Sequence, residues 1–194
     1  MVKILHCADL HIDTLFSSCS AREAISRKKQ IFSAFSKAVE KARIEKTKIF
    51  IIAGDMFDDC GAVSYETLSD VSREIASLPD CKFIIACGNH DPYVPGGIFD
   101  SALWPANAYI FKSDKVEKFS FDELNTDVYG YSFTSKALRE CPLENFSVEN
   151  KDRINIVVAH GDTEDALSNY CPIRKKLLEG LDADYIALGY ASFT

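Results

Sequence analysis

The chain has 194 residues, 47% hydrophobic and 26% charged with 9 Gly and 6 Pro, a composition that excludes disordered, collagen-like and mucin-like sequence. At about 150 residues per domain, one domain covering residues 1–194 is expected. A net charge of −7 excludes a protein that coats nucleic acid or anionic membrane by bulk electrostatics, and the longest apolar runs, residues 49–53 and 83–87, fall far short of the roughly 20 residues that span a bilayer.

In chain order, residues 2–6 read as a strand and residues 21–46 as a long helix. In that helix Ile31, Phe35, Ala38, Val39 and Ala42 recur at three- and four-residue steps. Its other face carries Arg27, Lys28, Lys29, Lys37, Lys41 and Lys46, read as a solvated surface ahead of a DNA-contacting one. Residues 48–53 form a second strand. A helix follows from about Ser64, its N-cap, with Tyr65, Leu68, Val71, Ile75 and Leu78 turned inward. Residues 82–87 are a third strand, and 116–121 with 126–131 flank 122–125 as a hairpin. Strands at 154–159 and 185–188, with a short helix near 173–179 between them, complete an α/β pattern. Its antiparallel middle implies a mixed sheet or two stacked sheets.

Polar residues gather behind the strands. Asp9-Leu10-His11 follows the first, Gly54-Asp55-Met56-Phe57-Asp58 the second, Gly88-Asn89-His90-Asp91 the third, and His160-Gly161-Asp162 a later one. In open α/β sheets the carboxyl ends of strands share one rim, so the four clusters are expected to converge there. Carboxylate, imidazole and amide oxygens together suit divalent ions of the manganese, iron or zinc type rather than a thiolate zinc site. The glycines let the backbone turn sharply and approach an ion or phosphate closely. Cys7, Cys19, Cys60, Cys81, Cys87, Cys141 and Cys171 show no C-x-x-C spacing and read as reduced thiols of a cytoplasmic protein. No G-x-G-x-x-G or G-x-S-x-G motif occurs, which argues against dinucleotide binding and a serine hydrolase.

The ordered blocks D-x-H, G-D-x-x-D, G-N-H-D and a downstream histidine resemble the calcineurin-like metallophosphoesterases. The stretch Ile4-Leu5-His6-Cys7-Ala8-Asp9-Leu10-His11 and the segment Gly88-Asn89-His90-Asp91-Pro92-Tyr93 look most like the SbcD nuclease branch. The resemblance implies stacked mixed β-sheets flanked by helices, an αββα sandwich, and two divalent metal ions, most often Mn²⁺. It places Asp9 and His11 on one ion, Asn89 and His160 on the other, and Asp55 between them, with His90 contacting phosphate and protonating the leaving oxygen. Asp58 or Asp91 is expected to orient the His90 ring. His6, inside the first strand, reads as a buried structural histidine. The implied activity is phosphodiester hydrolysis by a DNA exo- or endonuclease in repair. The implied partners are DNA, a second copy of the chain, and a coiled-coil ATPase of the SbcC type. A phosphatase or cyclic-nucleotide phosphodiesterase of the same fold, or a non-catalytic scaffold, are the alternatives.

The sequence departs from the family pattern at its end. A closing G-H-x-H block is expected after the last strand, where Gly189-Tyr190-Ala191-Ser192-Phe193-Thr194 stands instead, and the 4 His lie no further along than His160. Weak, partial or single-metal occupancy is expected from the loss of two imidazoles. The further strands of the second sheet, the DNA-capping region and the ATPase-docking helices implied by the resemblance have no counterpart in the sequence, so a shortened chain is expected.

Overall fold

The computed structural model describes residues 1–189. Two four-stranded sheets are formed. The first takes β1 (Ile4–Cys7), β2 (Ile49–Ala53), β3 (Lys82–Ala86) and β4 (Ala108–Ile110) in that order, all parallel. The second takes β5 (Glu117–Phe121), β6 (Thr126–Gly130), β7 (Ile154–His160) and β8 (Tyr185–Gly189). Only β5 and β6 run antiparallel; β6, β7 and β8 are parallel. The hairpin and the stacked-sheet alternative are therefore both realised, and the architecture is the α/β sandwich expected from the metallophosphoesterase resemblance.

Alternation along the strands explains the stacking, because successive side chains point to opposite faces. Ile49, Ile51 and Ala53 of β2, with Ile84 and Ala86 of β3, pack against Val128, Ile156, Val158 and Ala187 of the second sheet. Their neighbours Phe50, Ile52, Phe83 and Ile85 face the other way, into a layer with Phe35, Val39 and Ala42 of α1 (Ala21–Glu45) and Leu68, Val71 and Ile75 of α2 (Tyr65–Ala76). Being buried on both faces, β2 reads Ile-Phe-Ile-Ile-Ala without polar interruption. The outer face of the second sheet, with Tyr129, Val157 and Ala159, is covered by Tyr131, Phe133, Cys141, Leu143, Cys171 and Ile173, most of them on connecting segments, with the short α3 (Lys175–Gly180) beside them.

Local signals set the helix ends. Ser20 and Glu23 form a reciprocal capping box on α1, and Lys46 closes that helix in the left-handed conformation. Ser64 caps α2 through the Thr67 amide. Tyr65, expected on the inner side, is 75% exposed: it is the first helical residue, where the stripe that buries Leu68 has not yet turned inward. On the basic face of α1, Lys28 pairs with Asp13 and Lys41 with Glu45. The exposed Lys41–Glu45 pair contributes at most about 1 kcal/mol, so the apolar stripe rather than such pairs holds the helix. Strand β4 was not expected; Ala-Tyr-Ile is too short to carry a periodic signal, and parallel pairing with Phe83–Ile85 defines it. Among the described residues no helix is long and apolar enough to cross a membrane.

Candidate metal centre

Register brings the polar clusters together. Cys7 of β1 is level with Ile52, and Ala53 of β2 with Ala86, so the segments after β1, β2 and β3 leave the first sheet at one rim. The first two are then stitched by main chain. The Asp9 amide donates to the Gly54 carbonyl at 3.1 Å, that of His11 to Asp55 at 3.0 Å, and that of Ile12 to Met56 at 2.9 Å. The fourth cluster arrives from the second sheet, where His160 ends β7 opposite Gly189 of β8.

Tight packing makes this junction. A Cβ on Gly54, whose φ is +89°, would fall 2.1 Å from His160 Nδ1, and one on Gly88 would fall 2.1 Å from Asp55 Oδ1. Asp9, His11 and Asp55 also adopt positive φ, at 53°, 46° and 49°. Non-glycine residues enter that region at a cost and persist there where surrounding contacts enforce it, often at functional sites.

Two groups of side chains result, each with ligand-type atoms within 4.8 Å of one another: Asp9, Asp55 and His160; and His11, Asp58 and His90. Asp55 joins them, its Oδ2 lying 3.5 Å from His160 Nε2 and 3.9 Å from His11 Nε2. Asn89 Oδ1 stands 3.2 Å from His160 Nε2. All six residues singled out in the sequence, Asp9, His11, Asp55, Asn89, His90 and His160, therefore meet in one place. The grouping sets Asp9 with Asp55 and His160, whereas the resemblance paired it with His11.

Hydrogen bonds fix the histidines. Buried His160 donates from Nδ1 to the Ala53 carbonyl at 3.0 Å, so Nε2 faces the oxygens of Asp55 and Asn89. A ring nitrogen surrounded by acceptors requires a cation between them, either a proton or a metal ion, and the donor set of two carboxylates, an amide oxygen and an imidazole fits a divalent ion. His11 donates from Nδ1 to Asp58 Oδ1 at 3.0 Å, which directs its Nε2 toward Asp55. His90, partly exposed, donates from Nδ1 to the Asp58 carbonyl at 3.1 Å and stands edge-on to His11 with ring centroids 4.8 Å apart.

Asp58 thus supports two rings, through its carboxylate and its carbonyl. Asp91 does not take the orienting role considered for it. Fully buried, it accepts from the Phe57 amide at 2.9 Å and the Gly88 amide at 2.8 Å, binding the second polar segment to the third. Burial pushes its carboxyl up to about 7 against the pull of those amides. Sequence spacing could not divide these tasks, because both carboxylates sit at turn positions. His6 is half-buried, accepts or donates at Nδ1 with the Tyr185 hydroxyl at 3.0 Å, and belongs to neither group. Tyr190 and Ser192, expected in place of the closing histidines, lie outside the described residues.

For His160, burial favours the neutral ring but the Asp55 carboxylate outweighs it, so its pKa is raised above the usual 6.5. The same partnership lowers Asp55 despite burial. The stability that His160 gives the metal-free protein is present in full below about pH 6.5 and is lost as pH rises through the raised value. Metal binding runs the opposite way, since an ion must displace the Nε2 proton. Isothermal titration with Mn²⁺ is expected to show affinity falling as pH drops from 8 to 6, with proton release that grows toward the lower pH. A flat profile would place the ion away from His160.

The sequence model of the family described as calcineurin-like phosphoesterase matches residues 2–189. Among curated proteins, "Uncharacterized metallophosphoesterase YhaO" of Bacillus subtilis (strain 168) is 28% identical over 196 aligned positions. The match covers 96% of this chain and 47% of that protein, so the chain spans about half the length of its relative.

Proposed function

The chain belongs to the calcineurin-like phosphoesterase family, and from that premise we propose that it is a divalent-metal phosphodiesterase that cleaves DNA in the manner of SbcD-type nucleases. The observation that carries the hydrolytic reading is the Asp55 carboxylate set between His11 Nε2 and His160 Nε2, with Asn89 against His160 and His90 alongside. The DNA reading is supported by the sequence around Asp9 and His11 and by Gly88 to Tyr93.

Asp9, His11, Asp55, Asn89 and His160 would hold two ions, with Mn²⁺ our choice, and Asp55 would be shared. Bound divalent ions would supply Lewis acidity there, acidifying water and neutralising charge that develops on the oxygens of a phosphodiester under attack. The residues of the chain do the rest. Asp58 takes the Nδ1 hydrogen of His11, which fixes the ring's orientation with Nε2 facing Asp55. His90, its Nδ1 hydrogen committed to the Asp58 carbonyl, has Nε2 left for substrate. From Nε2 it can hold a phosphate oxygen and, when protonated, pass that proton to the departing oxygen. Asp9, Asp55 and Asp58 repel a phosphate until cations reverse the local sign, so substrate binding depends on metal. Association with a second copy or with a coiled-coil ATPase, and a cytoplasmic location, belong to the same proposal.

The test compares single-stranded DNA, bis-nitrophenyl phosphate and nitrophenyl phosphate with manganese-loaded protein. Cleavage of DNA and the diester, abolished by EDTA, is expected, and His90→Asn is expected to lower kcat by about 10²- to 10⁴-fold while metal content stays constant. Hydrolysis of the monoester alone would replace the nuclease by a phosphatase. DNA binding unaffected by EDTA, without cleavage, would leave a binding scaffold.

A further inference from the structure

The cations of α1 do not all do the same thing. Lys28 turns back to Asp13 Oδ1 at 2.6 Å, Lys41 pairs with Glu45 at 2.8 Å, and the Arg27 guanidinium lies 5.5 Å from the centre of the Phe16 ring. Arg22, Lys29 and Lys37 are exposed and, among the described residues, pair with no carboxylate. With Ser26 and Ser33 they form one row along the helix, at steps of four, three, four and four residues, on the arc away from the buried Phe35, Val39 and Ala42. Ser26, Lys29, Gln30, Ser33, Ala34 and Lys37 line an open depression of about 370 Å³. Two ammonium groups, two hydroxyls and an amide stand there without an acid, and among the described residues none of these five side chains is engaged elsewhere. Residues 21–41 hold six basic residues against two acidic ones in a chain of net charge −7, so this face is positive against a negative remainder.

The row also starts in a telling place. Strands β1 and β2 are parallel neighbours joined through α1, so the helix begins at the rim where β1 ends, that of the metal centre, and runs back to the opposite one. Asp13 and Phe16, which meet its N-terminal turns through Lys28 and Arg27, lie two and five residues beyond His11. We propose that the row Arg22, Ser26, Lys29, Ser33, Lys37 is a track for the phosphate backbone of a single DNA strand whose end lies in the metal centre, an inference that rests on the nuclease function proposed above. Ammonium, hydroxyl and amide donors satisfy phosphate oxygens without reading base sequence. Fifteen residues separate Arg22 from Lys37, about 22 Å at 1.5 Å each, and the row is one side chain wide, which suits several successive phosphates of one strand rather than a duplex. Each cation that meets a phosphate releases counterions and so adds affinity with no base contact. The metal centre takes the strand end, and the row takes the phosphates behind it.

The test follows binding of a labelled single strand with cleavage-resistant phosphorothioate linkages to the manganese-loaded full chain by fluorescence anisotropy. The double variant Lys29→Gln/Lys37→Gln is expected to bind about 25-fold more weakly at about 0.1 M salt, with the slope of log K against log salt reduced by about 1.4, which is about 0.7 for each lost contact. Hydrolysis of bis-nitrophenyl phosphate, too small to reach the row, is expected to stay at the wild-type rate. Glutamine is nearly as good a helix former as lysine, so α1 is kept, and Lys29→Arg/Lys37→Arg is expected to bind as the wild type does. Lys151→Gln/Lys175→Gln, which removes the same charge from exposed lysines outside α1, is also expected to bind as the wild type does. Equal weakening in both glutamine pairs, or none in either, would overturn the track, and cleavage of an unmodified strand by the wild type would then leave the nuclease reading standing. Binding through the row without cleavage of the unmodified strand would support the track and remove the nuclease instead. A wild-type chain that binds no strand would overturn both.

Discussion

Replacing Asp55 with asparagine is expected to reduce diesterase activity at least about 100-fold, since the loss of outer-shell partners alone costs metal sites 10- to 100-fold, and to leave less than the wild-type metal content after desalting. Asparagine is the informative substitute. It tolerates the positive φ of 49° at this position, and its amide oxygen can still accept the His90 main-chain amide, now bound by Asp55 Oδ1 at 2.9 Å. What it removes is the negative charge between His11 and His160. Alanine would remove that charge together with the hydrogen bond and would add backbone strain. The charge has a second readout in the metal-free protein. Asp55 is what raises the His160 pKa against burial, so Asp55→Asn should drop the imidazole titration followed by NMR to below its wild-type value. Unchanged metal content together with an unchanged His160 titration would mean that Asp55 does not bridge the two groups. A lowered His160 pKa with full metal content would mean that it bridges them only in the absence of metal.

Much of this centre was legible because its parts obey short-range rules. Ile49–Ala53 is apolar throughout because it is buried between a helical layer and a second sheet, and a strand of that kind announces its own end when the polar Gly54-Asp55 arrives. Ser20 with Glu23, and Ser64, marked helix starts for equally local reasons. What sequence could not give was the pairing of groups from different segments. Gly-Asp-x-x-Asp predicts two carboxylates at a strand end, but only the fold sends Asp58 to His11 and His90. Asp91, one residue after His90, looks better placed to orient that ring, yet the buried main chain of Phe57 and Gly88 takes both its oxygens. Asp13 belongs to none of the metal-ligand blocks. Its carboxylate ties α1 to α2 by accepting from Lys28, the Ser64 amide and the Thr67 hydroxyl, a role visible only once the two helices are side by side.

Gly54→Ala is expected to be strongly destabilising, and the two contributions to its cost can be separated. The first is conformational. At φ +89° an alanine sits in the left-handed region, for which about 1–2 kcal/mol is typical. The second is steric. The new Cβ would lie 2.1 Å from Nδ1 and 2.3 Å from Cγ of His160, whose Nδ1 already donates to the Ala53 carbonyl and whose ring stands edge-on to Phe133 at 5.6 Å. A fully buried ring, already bonded at Nδ1 and packed against Phe133, cannot swing away cheaply, and overpacking of this kind costs about 1–3 kcal/mol more. Gly96 provides the control, because its φ of +74° imposes the same backbone demand while nothing lies within 4 Å of an added Cβ. Thermal denaturation should therefore place Gly96→Ala within about 1–2 kcal/mol of wild type and Gly54→Ala roughly twice as far below it, a fall on the order of 10 °C for a chain of this size. Because the displaced ring is His160, the steric part should also cost metal affinity, which Gly96→Ala leaves intact. Equal losses in the two variants would show that His160 has room to move. The close approach of β2 and β7, which places an imidazole from the second sheet against a carboxylate from the first, would then not be what builds this centre.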